Sequence, residues 1–550
     1  MSATEQAAPP PSDVDAALDG LVHQFSDPLA FLRELVQNAI DAGTSDVAIS
    51  CTFAPGEGDA GVTTIEVADS GCGMTRAIIE TQLTRLFASA KDGDHTKIGK
   101  FGIGFVSVFA IAPDVVVVDT SREGEHWRVI FARDRTYELR KLHEPLEGTR
   151  VRVIKANTRA EFEELRARVP ATVRKWCRHT GCEIRVDGAR INEPVDLPDA
   201  PCRVVVSDGV NTLVVGHPRE ARPFFGFYNA GLTLLEGDQH PEWLAGAPDE
   251  QATSAIAVKA SSPQLEHTLT RDKVIEDDGY DRITGRVRGL VHSRLAELAV
   301  AMLAVALERP GPEPLLAYLC DAVRWHLQHG RVGLQRVWKM EVFRSPSGAG
   351  ISMRTCAGRV RGRELLLARD RSRLTDALER DGRIVVRVRG EDDARLLRAL
   401  VRPDVHVADV DARWCLAGPS DGRYDDDRGR ALAASLRWLL VRCGAELSAV
   451  MLGRTGPPGS PAADLVAITQ RDTGTPTPLV AARTVGTWWL ARRRVLVVNE
   501  THPVVVSLVP LAATRPAFAA YLLAKSFWLG GRLDPRLDGE LARVALELSR

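Results

Sequence analysis

The chain has 550 residues, of which 45% are hydrophobic and 26% charged, and its formal net charge is −1. This composition is that of an ordinary soluble globular protein of about three or four domains, and the balanced charge excludes a global attraction to nucleic acid or an anionic membrane. No stretch reaches the roughly 18–20 uninterrupted apolar residues of a membrane span, and the nine scattered cysteines lack the paired spacing of a zinc site, so we expect reduced thiols in a cytoplasmic protein.

Composition changes along the chain predict five segments. The N-terminus is polar and contains Pro9, Pro10 and Pro11, so we expect a short disordered tail without the cationic and apolar regions of a signal peptide. Prolines and glycines cluster after the second domain and mark its end. The predicted segments are a tail at 1–14, an α/β domain at 15–157, a second α/β domain at 158–308, a weakly patterned α/β region at 309–494 and a mostly helical region at 495–550.

Helical and strand patterns alternate in the first predicted domain and continue in the later ones. Apolar residues at spacings of three and four indicate helices, and β-branched runs bounded by glycine-rich turns indicate strands. The predicted elements are a helix within 21–42, a strand at 62–69, a short helix at 103–111, strands at 115–119 and 150–154, a helix at 314–328, a strand at 384–388, and helices at 391–401 and 429–442.

The first motif is the helical segment 31–42, in which Glu34, Asn38 and Asp41 follow one another at i, i+4 and i+7. This spacing places the three side chains on one helix face. The oxygen of Asn38 suits Mg²⁺, a hard cation that prefers oxygen ligands, and Glu34 can deprotonate a water for attack on a phosphate. Taken alone, the pattern also fits an amphipathic helix with a solvated polar face.

The second motif follows the strand at 62–69, where Asp69 precedes Gly71, Gly73 and Met74. A carboxylate at a strand end can accept a hydrogen bond from an exocyclic amine such as that of adenine. The two glycines allow the backbone to approach a base closely. Taken alone, the same letters describe a common turn.

The third motif runs from Lys97 into a short helix and contains Gly99, Gly102 and Gly104. Backbone N–H groups at the start of a helix bind phosphate oxygens, and glycines provide the room. The segment is not a P-loop, because no Gly-Lys-Ser/Thr follows, and it is not the dinucleotide fingerprint, which comes directly after a first strand. Taken alone, it is a glycine-rich turn before a core helix.

Together, and in this order, the motifs resemble those of the GHKL ATPases, the superfamily of gyrase, histidine kinases, mismatch-repair ATPases and the ninety-kilodalton heat-shock chaperones. The similarity is strongest to the bacterial form of heat-shock protein 90. The segments that carry it are the helix 31–42, the glycine turn 69–74, Ala90-Lys91-Asp-Gly, the run 99–105, and Gly148-Thr149 at the head of a strand.

The resemblance implies an α/β sandwich for the first domain and roles for individual residues. Asp69 would hold the adenine amine, Asn38 would bind Mg²⁺, and Glu34 would be the general base. Asp41, on the same helix as Asn38, is also expected to bind the nucleotide. The residues expected around the base are Gly73, Met74 and Thr149, and those expected around the phosphates are Lys91, Gly99, Phe101, Gly102, Ile103, Gly104 and Phe105.

Two later segments are also similar to the chaperones. The segment Leu269-Thr-Arg271-Asp-Lys resembles the part of the middle domain whose arginine reaches the γ-phosphate, so Arg271 is the implied charge stabiliser. The segment 497–504, followed by helices, resembles the opening of the C-terminal dimerisation region. The resemblance thus implies a dimeric, ATP-hydrolysing chaperone that acts on unfolded protein clients, without nucleic acid or membrane as partners.

Departures from the family leave alternatives open. Only seven residues, 92–98, separate Lys91 from Gly99, so the lid, the segment expected to cover the nucleotide, is short. Residues 310–490 contain no motif that resembles the family. A specialised ATP switch in signalling or defence is therefore the main alternative. A histidine kinase lacks room for a phosphoacceptor helix before the ATP domain, and the near-zero net charge argues against a DNA-processing ATPase.

Overall fold

The computed structural model describes residues 27–84, 103–239, 241–245, 254–266, 274–308, 313–329, 335–358, 361–402, 404–419, 422–482, 494–528 and 533–549. The chain divides into two compact units between Leu295 and Ala296. This division precedes the proline-rich stretch that the sequence suggests as a boundary, because the helix from Ala296 to Glu308 packs with elements of the second unit.

The first unit begins with a large sheet whose one face is covered by helices. Its elements are α1 Phe31–Asp41, β1 Asp46–Pro55, β2 Ala60–Asp69, α2 Arg76–Ile78, α3 Ile103–Val106, β3 Val115–Arg122, β4 Glu125–Ala132, β5 Tyr137–Lys141, β6 Thr149–Thr158, α4 Arg159–Cys177, β7 Glu183–Val186 and β8 Ala189–Arg190. The strand order is β5-β4-β3-β6-β2-β1-β7-β8, and among these pairings only β1 with β7 is parallel. The predicted α/β class of this region is confirmed.

The core of this sheet explains why α4 belongs to it. Alternate residues of β2, including Ile65 and Val67, are buried and pack with apolar side chains of α1 and α4. Thr158 and Glu161 form a capping box that begins α4. A boundary after Asn157, as the sequence suggests, would cut through this core, since α4 and β7 complete it.

A second, five-stranded sheet follows within the first unit. Its elements are β9 Cys202–Ser207, β10 Thr212–His217, β11 Phe224–Asn229, β12 Leu232–Gly237, α5 Glu242–Ala245, β13 Ala257–Ser261 and α6 Asp278–Leu290. The strand order is β12-β11-β13-β10-β9, with β11 and β13 parallel. Leu232 at the start of β12 is buried in the core of the first sheet, so the two sheets share packing.

The second unit is a mixed α/β structure that ends in three helices. Its elements are α7 Ala296–Glu308, α8 Glu313–His329, α9 Gln335–Lys339, β14 Glu341–Arg344, β15 Gly350–Ser352, α10 Met353–Ala357, β16 Glu364–Ala368, α11 Arg373–Arg380, β17 Val385–Arg387, α12 Glu391–Leu400, β18 His406–Asp409, α13 Val410–Arg413, β19 Trp414–Cys415, β20 Gly418–Pro419, α14 Asp427–Arg442, β21 Leu447–Arg454, β22 Ala467–Gln470, β23 Thr477–Pro478, α15 Leu479–Ala482, β24 Arg494–Asn499, α16 Pro503–Ala512, α17 Pro516–Ser526 and α18 Pro535–Leu548.

Two small sheets organise this unit. One is a parallel sheet in the order β17-β16-β18, and the other runs β20-β21-β24-β22 with β21 and β24 parallel. The last three helices pack with α14 and with β21 and β24 around one apolar core. The segment after residue 495 therefore contributes a central strand as well as helices, which the helical pattern alone did not indicate.

Two further sequence expectations can be compared with the structure. All nine cysteines are free thiols in the structure. One helical run in the part of the chain that the structure describes, Asp278–Glu308, has the length and composition of a membrane span, with a third of its most apolar window buried. Core helices of soluble proteins have the same length and composition.

Candidate functional site

Helix α1 carries three of the polar residues that the sequence singles out. Glu34 is 2% exposed, whereas Asn38 and Asp41 are exposed. The spacing predicts that the three side chains share one helix face. In the structure that face is buried at Glu34 and exposed at Asn38 and Asp41. A buried carboxylate is costly unless it has partners, so the burial of Glu34 indicates a specific position for its side chain.

Gly104, in the first turn of α3, lies directly against that carboxylate. A Cβ atom added at Gly104 would stand 2.6 Å from Oε2 of Glu34, closer than real Cβ atoms approach. The neighbouring Phe105 is 4% exposed and its ring lies 5.4 Å from that of Phe131, which anchors α3 in the core. A side chain at position 104 would therefore have to displace the carboxylate of Glu34, so glycine there lets the start of α3 lie against it.

At the other end of the site, Asp69 ends strand β2. Its Oδ1 accepts a hydrogen bond from the N–H of Gly71 at 2.8 Å, and its strand partner on β6 is Thr149. Burial raises the pKa of the Asp69 carboxyl above that of an ordinary aspartate, while the N–H groups of Gly71 and Thr149 oppose the rise. A half-buried carboxylate with spare acceptor capacity is suited to an N–H donor.

Two glycines allow the chain to fold closely around Asp69. Gly73 and Gly148 adopt φ values of +65° and +66°, which disfavour residues with side chains. An added Cβ would lie 2.1 Å from the carbonyl oxygen of Ser121 at position 73, and 2.0 Å from that of Asp69 at position 148. Both positions therefore require glycine for two independent reasons.

Thr120 on β3 completes this end of the site and was missed by the sequence interpretation. Its side chain is fully buried, its Oγ1 accepts from the N–H of Met74 at 2.9 Å, and it lies 3.0 Å from Oγ1 of Thr149. The polar pair Asp119-Thr120, which directly follows a run of four valines, is the signal that could have revealed it. Thr120 thus ties the glycine turn to the strand that carries Thr149.

Comparison with known proteins agrees with this geometry. Residues 29–156 match the family described as Histidine kinase-, DNA gyrase B-, and HSP90-like ATPase. The chain carries a GHKL-type ATPase domain. The recognition based on the sequence motifs is confirmed for this domain, which contains both ends of the site.

The chain is also similar to proteins named Chaperone protein HtpG. It is 29% identical to that of Methylococcus capsulatus over 227 residues (35% of this chain, 34% of the relative). It is 28% identical to that of Chlorobium luteolum over 229 residues (36% of each chain), and 34% identical to that of Nitratidesulfovibrio vulgaris over 195 residues (30% of each). The chain spans about a third of the length of the curated relatives it matches.

Several residues expected in the ATPase domain's site lie outside the described residues. They are Lys91, Gly99, Phe101 and Gly102 of the third motif and Arg271 of the later segment. The backbone of Ile103 begins α3. The structure thus brings together Asp69, Gly73, Met74 and Thr149 at one end and Glu34 with Gly104 at the other.

The described residues of the ATPase domain offer few side-chain ligands for Mg²⁺. In the described part of the chain no group of three or more His, Cys, Asp or Glu side chains could hold a metal ion. The exposed carboxamide of Asn38 would be available to Mg²⁺, with waters and phosphate oxygens as further ligands. This is the usual arrangement for Mg²⁺ at nucleotides.

Proposed function

We propose that this chain binds ATP with Mg²⁺ in its first unit, hydrolyses it slowly, and uses the cycle to act on protein clients as a homodimer. The proposal that the chain binds a nucleotide rests on two closely packed groups of residues in one domain. One is a half-buried Asp69 framed by two obligatory glycines, and the other is a buried Glu34 against Gly104. The family match at 29–156 supports the same assignment.

In this proposal Asp69 accepts a hydrogen bond from the exocyclic amine of adenine. Gly73, Met74 and Thr149 surround the base, and Thr120 holds that arrangement by its bonds to the turn and to β6. Burial raises the pKa of the Asp69 carboxyl, and the N–H groups of Gly71 and Thr149 oppose the rise. An amine donor of the base would add a further hydrogen bond to the carboxylate.

At the phosphate end, Glu34 acts as general base on the attacking water and Asn38 binds the metal ion. Mg²⁺ would neutralise charge on the phosphate oxygens, as it does in phosphoryl transfer generally. Lys91 and the segment 99–105 are proposed to hold the phosphates. Gly104 belongs to this segment, and the close approach of the chain to the carboxylate of Glu34 at this residue supports a base that acts beside the phosphates.

Arg271 is proposed as the cation that stabilises charge developing on the γ-phosphate. Arg271→Ala should lower turnover by about 10³-fold, as loss of such an arginine does in phosphoryl transfer, with ATP affinity nearly unchanged. The matched control is Arg222→Ala, since Arg222 is a highly exposed arginine of the same unit. Steady-state hydrolysis equal to wild type in Arg271→Ala would limit the family mechanism to the nucleotide pocket.

The chaperone part of the proposal is supported by the similarity to HtpG proteins, which covers about a third of each chain. Its test is an aggregation assay with a heat-unfolded model protein, with and without ATP, in the cytoplasmic conditions we propose for the protein. Suppression that depends on nucleotide supports the chaperone. If the protein hydrolyses ATP but does not suppress aggregation, the specialised switch is favoured. The switch is the second candidate because about two-thirds of the chain lie outside the similarity to HtpG proteins.

The dimer is proposed to form through an exposed apolar surface of the second unit, the α14–α18 surface, made of Trp438, Val441 and Leu546. Their side chains are 37%, 45% and 68% exposed. An ion pair of 3.7 Å between Arg442 and Glu547 brings the two helices together at this point. Large exposed apolar side chains grouped in this way commonly mark a protein interface.

Removing the chain from Val495 onward, the simplest test from sequence, would also remove β24 from the centre of its sheet. Leu546→Lys is the better variant, because it changes only the surface. It should weaken dimerisation by about 10- to 100-fold, the value of burying one leucine. Sedimentation checks this, with Val480→Lys, 73% exposed elsewhere in the unit, as control. A monomeric wild type contradicts the homodimer.

A further inference from the structure

The last three residues of α4 and the two that follow them, residues 175–179, contact two different parts of the first unit, and we name this segment the joint. On one side it meets helix α1: the guanidinium of Arg33 lies 4.9 Å from the ring centroid of Trp176. Arg33 is 4% exposed and directly precedes Glu34. Cys177, one residue further, is fully buried in the same core as α1.

On its other side the joint meets strands β11 and β12 of the second sheet. Oγ1 of Thr233 donates to the carbonyl oxygen of Lys175 at 2.8 Å. The guanidinium of Arg178 donates to the carboxylate of Glu236, which also accepts from the hydroxyl of Tyr228 at 2.7 Å. The Arg178 and Glu236 side chains are only 15% and 22% exposed, so this ion pair is shielded from solvent and sensitive to geometry.

The fit of the joint against the second sheet is close. Gly231, between β11 and β12, has φ +83°, and an added Cβ would lie 2.1 Å from the carbonyl oxygen of His179. The ring of His179 packs edge-on against Tyr228 at 4.8 Å and lies 3.2 Å from Nζ of Lys259. Burial lowers the pKa of His179 to about 4, so the ring is neutral and accepts from the lysine.

We propose that the joint makes the second sheet a positioning element for the catalytic glutamate: Glu236 fixes Arg178, and Trp176, two residues earlier, fixes Arg33 and with it the start of α1. Loosening the joint on the second-sheet side displaces Glu34 without touching the adenine end. Small displacements of a catalytic group lower the rate strongly, because the reacting atoms must be held in a narrow geometry. The consequence for turnover rests on the function proposed above, whereas the mechanical link does not.

The test uses the full-length chain and the variants Glu236→Gln and Trp176→Ala, with Trp176→Phe as the conservative replacement that keeps an aromatic face for Arg33. The matched control is Glu163→Gln at the other end of α4, where Glu163 pairs with Arg159 at 3.0 Å. Two readouts are taken: kcat against the separately measured ATP dissociation constant, and hydrogen–deuterium exchange of the α1 amides in the nucleotide-free protein.

We expect Glu236→Gln and Trp176→Ala to lower kcat about tenfold with ATP affinity within about twofold of wild type, and to raise α1 exchange about tenfold. Trp176→Phe should restore most of both, and Glu163→Gln should change neither. Unchanged α1 exchange in Glu236→Gln overturns the inference, even when Trp176→Ala fails to fold. If the wild type hydrolyses no ATP, the proposed function fails, but raised α1 exchange still establishes the link.

Discussion

The two ends of the candidate site are built in different ways. The proposed adenine end stands on paired strands, where Thr149 on β6 is the ladder partner of both Asp69 on β2 and the buried Thr120 on β3. The phosphate end stands on helix α1, where Glu34 is enclosed and Asn38 is exposed. A ladder fixes its residues through many backbone bonds, whereas a helix face depends on what packs against it. We therefore expect binding and chemistry to respond to different substitutions.

The largest effect should come from removing the base. In Glu34→Ala turnover should fall by about 10²–10⁴-fold, the usual range for loss of a general base, while ATP affinity remains near that of wild type because Glu34 acts on water. Single-turnover hydrolysis and calorimetric titration separate the two quantities.

Glu34→Gln is the control for the cavity that alanine leaves, since it keeps the shape beside Gly104 and removes the base. Turnover preserved in both variants would show that Glu34 only packs against the start of α3.

The opposite pattern is expected at the adenine end. Asp69→Asn should weaken ATP binding by about 5- to 150-fold, because a mismatched buried hydrogen bond costs about 1–3 kcal/mol. Burial raises the pKa of Asp69, so the charged form is disfavoured in the folded state. The unliganded Asn variant should therefore melt at or above the wild-type temperature near neutral pH. Calorimetric titration with wild-type affinity would remove Asp69 from the site.

These two ends also show what the sequence could predict. The helix containing Glu34, the strand ending at Asp69 and the short helix after Gly102 all lie where the patterns placed them, because apolar periodicity and glycine turns are local signals. The enclosure of Glu34 by Gly104 is a contact between residues seventy positions apart in the sequence. Only the shared family motifs suggested it, since periodicity does not indicate which helix start meets which side chain.

The domain limits were harder to predict for a similar reason. The pattern change at Asn157 is real, since β6 ends and α4 begins there, but α4 then supplies core residues such as Val169 and Val173 to the same sheet. Likewise, the strand Arg494–Asn499 inserts between β21 and β22. Pairing of distant strands leaves no local sign, so composition alone does not show how far the packing around a sheet extends.

A smaller effect is expected from pH. Because burial raises the pKa of Asp69, its protonation on acidification begins at a higher pH than for an exposed aspartate. Protonation turns one carboxyl oxygen into a donor and weakens the acceptor for the adenine amine, so affinity should fall, by at most about tenfold per pH unit below that pKa. The pH dependence of folding stability has the opposite sign to that of ATP affinity. The folded state binds the proton of Asp69 more tightly than the unfolded chain does, so the free energy of unfolding rises as pH falls through the folded pKa.

Titrations of ATP affinity between neutral and mildly acidic pH check this expectation. The phosphates of ATP titrate in every variant, so the comparison is with Asp69→Asn, which should lose the part of the slope that belongs to the carboxyl. Equal slopes in the two proteins would mean that Asp69 does not bind the base.

The smallest effect should come from Thr120→Val, which keeps the shape of the side chain and removes its hydroxyl. The N–H of Met74 then loses its acceptor and Oγ1 of Thr149 loses its neighbour. One unmade buried hydrogen bond costs about 1–3 kcal/mol, most of it in stability, since the hydroxyl holds the turn rather than the ligand. We expect ATP affinity to fall about three- to tenfold with turnover of bound ATP unchanged.

The matched control is Thr63→Val on the same sheet face, where Thr63 is 1% exposed and donates to Asn157 at 2.8 Å. It should cost similar stability and leave ATP affinity unchanged, because its bond lies at the far end of β2 and β6 from Asp69. Thr120→Ser, which retains the hydroxyl, should bind ATP like wild type. If Thr120→Val and Thr63→Val weaken ATP binding equally, the loss reflects the sheet as a whole. A loss confined to position 120 means that the strand ladder positions the glycine turn, which is the property that distinguishes the adenine end from the helix face of Glu34.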